Sequence, residues 1–181
     1  MKKILLLATL ICYTTLVALA QQDHSSHQGK TTTSNTDTST NTTVVNEQTK
    51  QQFSQMLSSY INLKNALVTG DATSAASNAD QFLRTVNTID FKVISEANLH
   101  ILSNDAGKIS ATKDLKKQRA YFTTLSSNIV AVAKAFKLSE KPVYVQYCPM
   151  QKASWLSSEK HIRNPYYGSS MLTCGEVTET L

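Results

Sequence analysis

The sequence predicts a mainly α protein: an up-down four-helix bundle followed by a small C-terminal β-hairpin cap that carries Cys148 and Cys174. Two observations predict it. Apolar residues recur at three- and four-residue steps through four consecutive stretches between residues 47 and 140, the spacing of one buried helix face. After Lys141-Pro142 the chain changes character, and β-branched and aromatic residues replace the helical stripe.

The first helix is expected from residue 47, with Phe53, Met56, Leu57, Tyr60, Leu63 and Leu67 on one face, and Gly70-Asp71 ends it. Ala72, Ala75, Ala76, Ala79, Phe82, Leu83 and Val86 repeat the spacing, and the alanines allow a close neighbour. A weaker third stripe runs through Ile94, Ala97, Ile101 and Leu102 and extends to Ile109. The fourth carries Leu115, Phe122, Leu125, Ile129, Val132 and Phe136, with Asp114 at its start, where a carboxylate favours the positive end of the helix dipole. Short connections between amphipathic helices favour an up-down arrangement. No helix pairs a Glu-x-x-His motif with matching carboxylates, so a di-iron bundle is not indicated. His100 stands alone and reads as a surface or satisfied residue.

Beyond Pro142, Val143-Tyr144-Val145-Gln146-Tyr147 reads as a strand running into Cys148-Pro149. Trp155 follows in a polar stretch, and Asn164-Pro165-Tyr166-Tyr167-Gly168 is a turn signal. Met171-Leu172-Thr173-Cys174 is expected to return as the second strand. Residues 141–181 are thus a cap on the same domain as the bundle of residues 47–140.

The N-terminal part has another character. Residues 1–20 carry a secretory pattern: Lys2 and Lys3, an apolar run from Ile4 to Leu19, and a small-x-small site at Ala18-Leu19-Ala20. The run is short for a membrane span, so cleavage after Ala20 and a periplasmic or secreted protein without a span are expected. Loss of Lys2 and Lys3 lowers the formal net charge from +5 to +3, a mild excess without the concentrated basic stripe of a nucleic-acid binder. Residues 21–46 are polar and expected to be a disordered leader. Within it, His24 and His27 form either a plain solvated tail or a weak accessory metal arm.

Cleavage would also remove Cys12, leaving Cys148 and Cys174, each close to a methionine: Cys148-Pro149-Met150 and Met171-Leu172-Thr173-Cys174. Thiolates and thioethers together are soft donors that suit Cu(I). Alternation along an extended chain puts Cys148 and Met150 on one face. Zinc usually recruits four Cys, His or carboxylate ligands, and His161 is the nearest nitrogen candidate. Equally, two cysteines of an exported chain can pair. Closing the loop between Cys148 and Cys174 is worth roughly 3 kcal/mol in the chain-entropy model. In that reading the cap is an interaction module without metal, offering Trp155, Tyr166 and Tyr167 to a partner. An enzyme is not indicated: the chain has no Cys-x-x-Cys pair, no Gly-rich phosphate loop and no local Ser/His/Asp signature.

One further observation separates the two readings. Tyr144-Val145-Gln146-Tyr147-Cys148-Pro149-Met150, then Trp155-Leu156-Ser157, then Ile162-Arg163-Asn164-Pro165-Tyr166-Tyr167-Gly168, Met171 and Cys174-Gly175 resemble the signature of an uncharacterised bacterial domain family. That family occurs as stand-alone secreted proteins and fused to the C-terminal end of CusB-type periplasmic adaptors of heavy-metal efflux pumps. The resemblance implies periplasmic handling of copper or silver, with Cys148, Met150, Met171 and Cys174 as the sulfur positions. It also implies an efflux component or metallochaperone as partner. The chain has no room for the adaptor's barrel and hairpin regions, and its gap between Met150 and Trp155 is shorter than usual. A free-standing carrier or scavenger is therefore the expected form.

Overall fold

The computed structural model describes residues 46–181. Residues 1–45, which include the expected signal segment, all of the expected leader but Asn46, and His24 and His27, lie outside the described residues. From residue 46 onward, four helices and a small sheet build one compact unit.

Helix α1 spans Glu47–Thr69, and its N-cap Asn46 accepts the Thr49 amide at 2.8 Å. Helix α2 (Ala72–Val86) begins immediately after Gly70, with Asp71 as a cap that accepts the Ser74 amide. Helices α3 (Glu96–Ser110) and α4 (Leu115–Ala135) are capped by Ser95 and Asp114. Short polar side chains at these positions satisfy first-turn amides that the helix itself leaves unpaired. Each helix packs chiefly on the next in sequence, while α1 and α4 have little backbone contact.

The third stripe differs from the expectation. Ala97 and Ile101 are exposed, and the buried face of α3 is Leu102, Asp105, Ala106 and Ile109. This set follows the 3.6-residue period, whereas Ile94 lies before the helix and is buried from the preceding turn. Asp105 is tolerated inside because Asn128 of α4 donates to it and Lys108 lies 3.6 Å away.

The cap also differs. It is a three-stranded antiparallel sheet in the order β2-β1-β3, formed by Tyr144–Cys148 (β1), Ala153–Ser157 (β2) and Glu176–Thr180 (β3). Strand β1 is central: Gln146 lies opposite Trp155 on one side and Val177 on the other. The expected return strand at Met171–Cys174 is instead the end of a 3-10 helix, Gly168–Met171, and a turn. Between β2 and β3 the chain first packs its 3-10 helix on α1, and only then returns to pair with the free edge of β1. Among the described residues, no helix is long and apolar enough to cross a membrane.

An aromatic file joins the two halves. Tyr60 of α1 stacks on Phe122 of α4 at 5.4 Å, Phe122 meets Tyr166 at 5.9 Å, and Tyr166 meets Trp155 edge-on at 5.8 Å. The Tyr60 hydroxyl pairs with Ser126 Oγ at 2.7 Å and accepts the Leu156 amide at 3.2 Å. Leu156 is in β2, an edge strand whose outward amide would otherwise be buried without an acceptor.

Candidate functional site

The two sulfurs are brought together from residues 26 apart in sequence, Cys148 Sγ lying 3.9 Å from Cys174 Sγ. Cys148 is the last residue of β1 and fully buried, opposite Ala153 of β2. Its Sγ accepts the Gln151 amide at 3.4 Å, inside the turn that leads to β2. Cys174 is half-buried and lies two residues before β3, its amide donating to the Met171 carbonyl at 3.1 Å.

Three residues hold Cys174 there. Asn164 is buried; its Nδ2 donates to the Cys174 carbonyl at 2.8 Å and its Oδ1 accepts the amides of Tyr166 and Tyr167. The Asn164 amide donates to the Leu172 carbonyl at 2.8 Å, so one residue clamps both ends of the segment. Gly175 has φ 147°, and a Cβ there would stand 2.8 Å from the Tyr147 carbonyl oxygen and 3.0 Å from the Trp155 ring. Glycine thus lets the chain after Cys174 close onto β1. Gln146, buried in β1, donates from Nε2 to the carbonyls of Glu159, Lys160 and His161 and anchors the loop above. Neither amide carried a recognisable sequence signal beyond the turn composition around Asn164.

The other expected donors are not gathered in the same way. Met150 lies in the turn after Cys148 and is 61% exposed, while Met171 ends the 3-10 helix and is 37% exposed. The expected shared face of Cys148 and Met150 does not form, because β1 ends at Cys148 and the chain turns at Pro149. His161 is exposed on its loop. Trp155 and Tyr166 are core residues, so they do not form the partner surface expected of them; only Tyr167 keeps partial exposure. Their burial follows from β2, which turns Trp155 inward instead of leaving it in a polar loop.

Burial, together with the hydrogen bond and charge interaction with Cys148, raises the Cys174 thiol pKa above its ordinary value. Its thiolate therefore forms only at higher pH or when a cation replaces the proton. Among the described residues, no group of three or more His, Cys, Asp or Glu side chains is placed to hold a metal ion. The arrangement offers two thiols at close range, with thioethers on the adjoining turns.

Residues 56–141 match a family described as "Protein of unknown function (DUF3347)". The match spans most of the four-helix region and ends before Cys148, so it covers none of the four sulfur positions. No curated protein matches the chain, and no solved structure matches it.

Proposed function

We propose that the chain is a periplasmic or secreted soft-metal protein that binds Cu(I) or Ag(I) through Cys148 and Cys174 and supports metal handling or efflux. The observation that supports it most is the 3.9 Å approach of the two sulfurs, held by Asn164 and Gly175 on a rigid sheet. Soft monovalent metals accept two thiolates and one thioether, whereas zinc would lack its usual four ligands here. Met150 or Met171 would be the third donor, since each lies on a turn within three residues of one of the cysteines. Exposure of the two thioethers suits ligand exchange with an efflux component or a metallochaperone. His161, His24 and His27 would be accessory capture residues. No catalytic step is assigned.

The same approach also favours a second reading, in which Cys148 and Cys174 close into a disulfide and the domain is an interaction module without metal. Competition with a chromophoric Cu(I) chelator on reduced protein separates the two. In the metal reading, Cys148→Ser and Cys174→Ser each remove tight Cu(I) and Ag(I) binding, while Met150→Leu weakens it less. Retained affinity in both cysteine variants, with lost thermal stability, would establish the structural role instead.

A further inference from the structure

A cleft of about 530 Å3 reaches the turn after Cys148, with walls from Leu115, Lys116, Arg119, Gln151, Tyr166 and Tyr167. Pockets that bury small ligands typically hold about 300–1,000 Å3. Two cations face it, and neither Lys116 nor Arg119 takes part in the ion pairs found among the described residues. Arg119 is the unusual one. Its Nη2 donates to the Leu67 carbonyl at 2.9 Å, but its buried Nε has no acceptor. Arg119 is partly buried, and a cation in that position is ordinarily matched by an anion and by acceptors for its N–H groups. The chain does not supply them here. The helix terminus itself is not the attraction, because Asp114 already accepts the Lys116 and Lys117 amides.

Leu115 and Tyr167 also line the cleft, together with the mostly buried Tyr166. We infer that this cleft binds a small aromatic carboxylate, its charge beside Arg119 and Lys116 and its ring against Tyr167. A carboxylate matches the charge of the two cations, and an aromatic ring suits the apolar part of the lining better than a hydrated inorganic anion. Gly168 fits the same design. It has φ 55°, and a Cβ there would stand 2.5 Å from Arg119 Nη2, so a side chain at this position would push the guanidinium aside. The site also touches the sulfur pair, because Gln151 lines the cleft while its amide donates to Cys148 Sγ. Occupancy should therefore be felt at that amide.

The test is a titration of the reduced, metal-free full chain, followed through backbone amide signals, with benzoate, benzyl alcohol and inorganic phosphate as probes. Benzoate should bind saturably, shift the amides of Arg119, Gln151 and Tyr167, and bind at least about tenfold more tightly than either control, the gain expected of a charge-assisted hydrogen bond. Lys116→Gln, at an exposed position, should weaken benzoate several-fold and leave benzyl alcohol unchanged; Tyr167→Ala should weaken both. Equal affinity for benzyl alcohol or phosphate, shifts confined to another part of the surface, or indifference to Lys116→Gln would overturn the assignment. Because no arm contains metal, its failure and that of the soft-metal reading are distinguishable.

Discussion

The helices and the sheet are held together by different means. The helical region is fastened by continuous apolar faces, with Phe53, Leu63, Phe82, Leu102, Ile109, Leu125 and Ile129 all fully buried. Its polar interior groups are held one by one, Asp105 by Asn128 and the buried Gln118 amide by the Ala72 and Thr112 carbonyls. In the sheet, β1 and β2 bury Val145, Cys148, Ala153, Trp155 and Leu156, while β3 is mostly exposed. Two buried side-chain amides organise it, Gln146 holding the loop at residues 159–161 and Asn164 holding Cys174. An apolar face tolerates exchanges of similar volume, whereas a buried amide fails when one partner is lost. The region that carries the sulfurs is therefore the less forgiving one.

The largest expected effect comes from removing the side chain that belongs to both regions. Trp155→Ala empties the junction between β2, Tyr166 and Gly175, and should destabilise the fold by about 3–5 kcal/mol in chemical denaturation. Trp155→Phe should cost less, because it also removes an indole N–H that has no acceptor. If the alanine variant lost less than about 1 kcal/mol, the sheet would be an appendage and the comparison between the regions would fail.

Next in size is Asn164→Ala, which strands the Cys174 carbonyl and the Tyr166 amide without forming a large cavity. A loss of about 2–3 kcal/mol is expected from buried groups left unsatisfied. The more telling readout is local: thiol-reagent accessibility at Cys174 should rise in this variant while the helices keep their far-ultraviolet signal. An equivalent disturbance of helix and thiol would mean that the amide serves the whole fold and not the sulfur pair.

This contrast also explains how much was legible in the sequence. The boundaries of α1, α2 and α4 follow from Gly70-Asp71 and from apolar stripes, because a buried helix face writes its period into the chain. In the third stripe, Ile94, Leu102 and Ile109 are buried as the pattern implies, while Ala97 and Ile101 look like core residues but are exposed. In the cap, β1 was visible from its β-branched run. Strand β3, Glu176-Val177-Thr178-Glu179-Thr180, was not, because one apolar residue among charges writes no pattern and only its pairing with β1 makes it a strand. The closeness of Cys148 and Cys174 is legible only once that pairing is known. Asn164 read as a turn residue, and nothing in composition marks a buried amide as a clamp.

The smallest predicted effect probes the joint itself, at Lys64 of α1. Its side chain is 2% exposed and forms none of the ion pairs found among the described residues. Burial lowers its pKa to about 8 from 10.5, opposed by the charge of Glu159 and aided by that of Arg163. The lowered value means that the folded state releases this proton more readily than the unfolded chain. Between pH 8 and 10.5 the unfolded state therefore binds more protons, and stability gains a contribution as pH rises through that window. Below it, the charged amine is a cost. Lys64→Met should thus stabilise the protein near neutral pH, by about 2 kcal/mol after discounting for residual solvent contact at the amine. The advantage should shrink towards zero by pH 10.5. Paired urea titrations of wild type and variant across that range measure it. A constant difference would mean that Lys64 acts through its alkyl stem alone, and that α1 meets the sheet as one more apolar face.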